Sequence, residues 1–173
     1  MTSTFSSQIR RATPDEAPML NELTGRSALY WGYEPEFLNW EPESITVYPD
    51  VIARYPVYVL EEAGRVLGYY SLTGVPPVML LDKLFVEPDR IGTGCGKRLW
   101  LHAVATAREM GATALTLDAD PNAAPFYRAM GAVWEHETAT SRPGWALQVF
   151  RFTILSPDAD KSEARTSAGT TSQ

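Results

Sequence analysis

The chain has 173 residues, 45% of them hydrophobic and 21% charged, with a net charge of −6. That suffices for one domain with its own core, and the acidic balance, without a long basic run, argues against nucleic acid or an anionic membrane as main partner and mildly for a cationic substrate. A lone cysteine forbids an internal disulfide, and neither an apolar leader nor a stretch of about 18 apolar residues is visible, so a soluble cytoplasmic protein is the expectation.

Residues 1–7 are polar and expected to be disordered. Gln8–Ala12 reads as a first strand. Thr13-Pro14-Asp15-Glu16 reads as a helix start, with Thr13 as N-cap, Pro14 in the first turn and Glu16 closing a capping box. Met19, Leu20 and Leu23 then share one face, and Gly25 is expected to end or kink the helix. Ser27–Trp40, SALYWGYEPEFLNW, carries two tryptophans and two tyrosines. It reads either as a loop and short helix packing aromatics on the core or as the wall of a ligand pocket.

Val57–Glu61 and Val66–Thr73 read as strands joined by the hairpin loop Glu62–Arg65. Gly74–Pro77 is a turn, and Val78–Val86 a third strand of the meander. Glu87-Pro88-Asp89 stops it, because proline cannot continue a ladder. Gly92, Gly94 and Gly96 follow at alternate positions. Without Cβ atoms they permit left-handed conformations and close approach of a ligand. From Gly94 to Met110 the pattern is helical, with Gly96, Trp100, Ala103, Val104 and Ala107 on one stripe. Arg98, His102, Thr106 and Glu109 fall opposite, so His102 is expected to be solvated. Gly111 is a C′ glycine.

Ala114–Leu117 is a short strand, Ala123–Met130 a helix stopped by Gly131, and Ala132–Thr140 with Trp145–Thr153 a closing hairpin. Residues 155–173 hold almost no apolar side chain larger than alanine and form an expected disordered tail. Residues 8–154 therefore read as one α/β domain, of α+β type, with a mixed, mostly antiparallel central sheet flanked by helices.

A glycine loop that opens a helix is an anion site, because the first N–H groups are unpaired and the helix end carries about half a positive charge. Neither of two well-known phosphate loops fits. A P-loop would place its first glycine at Ile91 and its Ser/Thr at Arg98. A dinucleotide fingerprint would place its third glycine at Lys97.

The run LFVEPDRIGTGCGKRL does resemble motif A of the GNAT N-acetyltransferases, Gln/Arg-x-x-Gly-x-Gly/Ala, with Gly94-Cys95-Gly96 at its end and Ile91 in place of the usual Gln or Arg. DPNAAPFYRAMGA, Asp120–Ala132, resembles the family's motif B, about 25 residues further on, as a helix plus one strand requires. The resemblance spans roughly Ile9 to Thr153. It implies the GNAT fold and transfer of an acetyl group from acetyl-CoA to the amine of a small molecule or of a peptide or protein, attacked directly in a ternary complex. By the same resemblance Ile91, Gly92, Thr93, Gly94, Cys95, Gly96 and Lys97 hold the pyrophosphate. Leu84, Phe85 and Val86 pair with the pantetheine arm, with Asn122 and Phe126 beside it. Trp31, Tyr33 and Glu34 line the acceptor side. Tyr127 is the general acid that protonates the leaving thiolate. A homodimer is compatible with the family.

An amine of pKa about 10.4 must lose a proton before it attacks. Asp82 is a carboxylate inside an apolar strand, on the face of Leu84 and Val86 by period two. It is the candidate base, with Asp118 or a chain of waters as alternatives. Tyr127 and Phe126 have a plainer reading as core aromatics, and Cys95 as the variable residue between two glycines. No metal cofactor is expected, since no cluster has ligand spacing. A non-catalytic acyl-CoA-binding module is the alternative to the enzyme.

Overall fold

The computed structural model describes residues 6–36 and 45–155. Residues 1–5, 37–44 and 156–173 lie outside it, and with them most of both termini expected to be disordered and the end of the Ser27–Trp40 stretch. Seven strands form one sheet: β1 Gln8–Arg11, β2 Val57–Glu62, β3 Arg65–Val75, β4 Val78–Val86, β5 Ala114–Ala119, β6 Val133–Ala139 and β7 Ala146–Thr153. Their spatial order is β1-β2-β3-β4-β5-β7-β6. Among the described strands β4 and β5 run parallel and the other pairs are antiparallel.

Among the described residues the helices are α1 Ala17–Tyr30, α2 Pro49–Arg54, α3 Cys95–Glu109 and α4 Ala124–Ala129. On one side of the sheet α3 and α4 bury Leu99, Trp100, Ala103, Ala107, Ala124 and Tyr127 against Leu72, Leu81 and Phe150. On the other, α1 and α2 bury Leu20, Leu23 and Ile52 against Val57, Val59 and Tyr69. No described helix is long and apolar enough to cross a membrane.

The start of α1 follows the sequence signal. Pro14–Glu16 is a 3-10 turn, and the Glu16 carboxylate accepts the Thr13 N–H at 2.9 Å. Pro18 falls in the first turn, where its missing N–H has no partner to lose. Gly25 does not end the helix, which runs on to Tyr30. Tertiary contacts outweigh its poor propensity: the Thr24 and Tyr69 hydroxyls lie 2.6 Å apart, and Arg26 pairs with Glu87 at 2.5 Å. α2 is a short helix that the sequence pattern did not announce.

α3 lies tight on the sheet because Gly68 in β3 has no side chain. A Cβ there would sit 2.7 Å from the Phe85 carbonyl oxygen and 2.9 Å from a Leu99 methyl.

His102 is not the solvated residue that helical periodicity assigned. The sheet extends under the flank of α3, so His102 and Thr106 lie over β2 and β3. His102 Nδ1 is 2.7 Å from the Tyr70 hydroxyl, and its ring centroid is 4.7 Å from that of Tyr58. Thr106 is 9% exposed. Burial lowers the His102 pKa below the ordinary histidine value.

Two expectations follow from this packing. Gly68→Ala drives a methyl into backbone and should destabilise the fold by about 1–3 kcal/mol, read by urea denaturation. Because the folded protein resists protonating His102, the unfolded chain binds the extra proton first. Stability should therefore fall as pH drops below the ordinary histidine pKa of about 6.5, and His102→Gln should flatten that part of the wild-type urea-midpoint profile.

Candidate active site

The site forms where β4 and β5 part. They pair over three positions only, Val78, Met79 and Leu80 against Ala114, Leu115 and Thr116. Beyond Thr116, β5 follows β7, pairing Leu117 with Phe150 and Ala119 with Gln148. β4 stays with β3 up to Val86. Among the described residues no strand covers the free edge of β4 from Leu81 to Val86, so its N–H and C=O groups face a wedge open to an extended ligand. Leu84, Phe85 and Val86 occupy this edge.

The wedge ends at the glycine loop. Gly92 and Gly94 have φ of +80° and +91°, and a Cβ on either would meet nothing within 4 Å. Their requirement is therefore backbone conformation, not space. Gly94 caps α3 in the left-handed region, and its carbonyl accepts the Arg98 N–H at 3.1 Å. The N–H groups of Cys95, Gly96 and Lys97 precede the first intrahelical acceptor and point out of the helix end. Thr93, whose hydroxyl donates to the Arg90 carbonyl at 2.6 Å, and Lys97 are exposed; Ile91 is partly buried against the core. Cys95 is 8% exposed, its Sγ 3.3 Å from the Thr93 hydroxyl. Gly96 packs on Phe126: a Cβ there would lie 3.3 Å from the ring. Loop and α4 are thus in contact, which lets motif A and motif B border one groove. These features fit an extended arm ending in a phosphoanhydride.

Asp82 is at the apex of the wedge, but on the other side of the sheet from the one expected. A bulge interrupts the β3–β4 ladder: Ser71 pairs with Lys83 and Leu72 with Leu81, leaving Asp82 as the extra residue. A bulge breaks strict alternation. Leu84 and Val86 keep to the α3 side, whereas the Asp82 carboxylate turns to the α1 side. There Oδ2 accepts from Lys83 Nζ at 2.6 Å and from Ser71 Oγ at 3.4 Å. The Lys83 side chain is 5% exposed and that of Asp82 28%. Lys83 is a candidate site residue that alternation hides, since consecutive strand residues should point apart. Asp118 is exposed on β5.

Tyr127 lies on α4, the helix that follows β5. Its ring is core, edge-on to Trp100 at 5.8 Å and 6.3 Å from Phe150. Its hydroxyl has no hydrogen-bond partner among the described residues. Burial first, and then the charge of Asp120, raise its pKa above the usual phenol value, so it keeps its proton at neutral pH. Tyr33 reaches the same neighbourhood. It meets the side chains of Asp120 and Asn122, and burial and the Asp120 charge raise its pKa as well. Its ring is edge-on to Trp145 at 5.3 Å. Asp120, which the sequence reading passed over, also turns the chain into α4, its Oδ1 accepting the Asn122 N–H at 2.7 Å. Trp31 is 44% exposed and touches Tyr30 edge-on at 5.3 Å; Glu34 is exposed. Neither is brought to Tyr127 or Asp82 by a contact among the described residues. No group of three or more His, Cys, Asp or Glu among those residues could hold a metal ion.

The acetyltransferase (GNAT) family profile matches residues 26–132, and the chain belongs to that family. No curated relative matches it. Solved structures share its fold. PaiA N-acetyltransferase from Thermoplasma acidophilum, in complex with coenzyme A, is 18% identical with a TM-score of 0.71, over 86% of this chain and 99% of that one. The ribosomal-protein-S18-alanine N-acetyltransferase of Escherichia coli is 16% identical with a TM-score of 0.67, over 86% and 94%. N-acetylglutamate synthase from Neisseria gonorrhoeae, complexed with coenzyme A and N-acetyl-glutamate, is 19% identical with a TM-score of 0.65, over 89% of this chain and 36% of that one.

Since the Tyr127 hydroxyl is unbonded while its ring is packed, Tyr127→Phe should change stability by less than about 0.5 kcal/mol. Tyr127→Ala should cost about 3–5 kcal/mol. Urea denaturation of both variants checks this separation of tip from ring.

Proposed function

We propose that the chain transfers an acetyl group from acetyl-CoA to a primary amine. The observation that carries this reading is the free β4 edge running into the glycine loop at the start of α3. The N–H groups of that loop bind the pyrophosphate, and the edge from Leu84 to Val86 binds the pantetheine arm as an added strand. Bound acetyl-CoA supplies a thioester at the apex of the wedge. The CoA complexes of PaiA N-acetyltransferase and N-acetylglutamate synthase support the donor. The acceptor is left to the local chemistry of this chain.

Asp82 takes one proton from the acceptor ammonium. The freed nitrogen pair forms the C–N bond as the C–S bond breaks. The sulfur takes a proton from the Tyr127 hydroxyl, and the second proton shed by the nitrogen restores the phenol. One proton, on Asp82, is released to solvent. A raised phenol pKa keeps Tyr127 neutral and protonated until a thiolate forms beside it. A second reading, a non-catalytic acyl-CoA-binding module, is favoured by one observation: Asp82 is already paired with Lys83. Turnover separates the two.

Isothermal titration should give micromolar-range binding of acetyl-CoA and none of NADH or ATP. Gly94→Glu should abolish it, because a charged side chain at a left-handed position faces the phosphate groups. Failure of the folded protein to bind acetyl-CoA would refute the assignment of the loop. With an acceptor in hand, Tyr127→Phe should lower kcat about 10²- to 10⁴-fold while acetyl-CoA binding is retained.

A further inference from the structure

The ion pair at the apex of the wedge is incomplete. A lysine ammonium has three N–H donors, and Lys83 uses one, on Asp82 Oδ2. The same oxygen takes the Ser71 hydroxyl. Asp82 Oδ1 receives no hydrogen bond among the described residues. So two donors on a cation that is 5% exposed and one oxygen on a carboxylate that is 28% exposed are left over, side by side. Buried charges normally have every lone pair and proton engaged, since desolvation is otherwise uncompensated. The pair exists because the bulge between Leu81 and Lys83 turns two consecutive side chains to one side.

We propose that this pair receives a zwitterionic acceptor: an amine with a carboxylate on the same or an adjacent carbon, as in a free amino acid. The acceptor ammonium docks on Asp82 Oδ1 and its carboxylate on the spare donors of Lys83. The result is two ion pairs laid head to tail, with four charges that sum to zero. An amine without a carboxylate fares worse. It would share one carboxylate with Lys83 and suffer repulsion from that ammonium in a water-poor site. The inference rests on the acyl-transfer reading above and names the substrate class for it.

The test uses the full chain, acetyl-CoA and the twenty common L-amino acids, with free thiol as the readout. The best acceptor is compared with its own carboxamide and its decarboxylated amine. The expected result is a kcat/KM for the amino acid at least tenfold above both. Lys83→Met should bring that ratio toward one, mainly through KM, and Lys83→Arg should keep most of it. A thermal melt and an acetyl-CoA titration of each variant show that it is folded and loaded. Equal use of carboxamide and amino acid by the wild type, or loss of both in equal measure in Lys83→Met, overturns the proposal. So does turnover of simple amines with no amino acid accepted. Amino-acid binding is also measured calorimetrically in the presence of CoA, without turnover. Binding that depends on Lys83 but yields no thiol would keep the recognition site and refute acyl transfer. No binding and no turnover would overturn the zwitterion site even where acetyl-CoA binds.

Discussion

The structure depends on β4 being paired along one edge and, among the described residues, left open along the other beyond Leu80. Buried backbone N–H and C=O groups require partners, and β4 meets that requirement with β3 from Val78 to Val86 except at the Asp82 bulge. With β5 it does so for three residues, after which β5 turns toward β7. The divergence leaves a row of directional donors and acceptors inside the sheet rather than at its rim. α3 begins at the foot of the same row, so the chain passes without a break from an open edge to a helix end of positive polarity. An extended ligand with an anionic end matches both halves at once.

The bulge at Asp82 stands at the top of the wedge, and it changes what the strand can present. Regular alternation would send Asp82 toward the α3 core and Lys83 toward α1. One extra residue turns both to the α1 side, where Ser71 joins them. Tyr69, two residues earlier on β3, feels the charge of Asp82 in its raised pKa, after the larger effect of its own burial, and is fixed to α1 through Thr24. The pair therefore belongs to a rigid corner made by β3, β4 and α1. Tyr127 belongs to a different corner, made by α3, α4 and β7. Acid and base of the proposed transfer approach the wedge from opposite faces of the sheet.

The sequence was most informative where a single local rule decides the outcome. The strand from Val78 to Val86 was bounded by Pro76-Pro77 and Pro88, and its observed ends coincide with those signals. The glycine loop and the helix after it were legible because positive φ at Gly92 and Gly94 has few alternatives to glycine. Errors arose where long-range contacts overrule a local preference. Gly25 would end an isolated helix, but on either side of it Thr24 binds Tyr69 on β3 and Arg26 pairs with Glu87 just past the end of β4. His102 lies opposite the apolar stripe on a helical wheel, yet the sheet beneath α3 is wide enough to reach it. Lys83 was invisible as a site residue because a bulge is a property of two paired strands and leaves little mark on either. The effect of Asp120 on Tyr33 and Tyr127 depends on folding across the sheet, so no local pattern marks it.

The overall charge of the chain, −6, is a poor guide to what enters the wedge. Exposed charges further apart than about 8–10 Å are largely screened at physiological salt, and many carboxylates here are already matched by arginines. Arg10 pairs with Glu16 and Glu61, Arg26 with Glu87, Arg65 with Asp89 and Arg90 with Glu62. What a ligand meets at the apex is the local pair, and Asp82 and Lys83 sum to zero. A neutral pair with unused donors and an unused acceptor selects by arrangement of charge rather than by its sum. That is a stricter filter than a net negative field, because it demands both signs in the ligand at a fixed spacing.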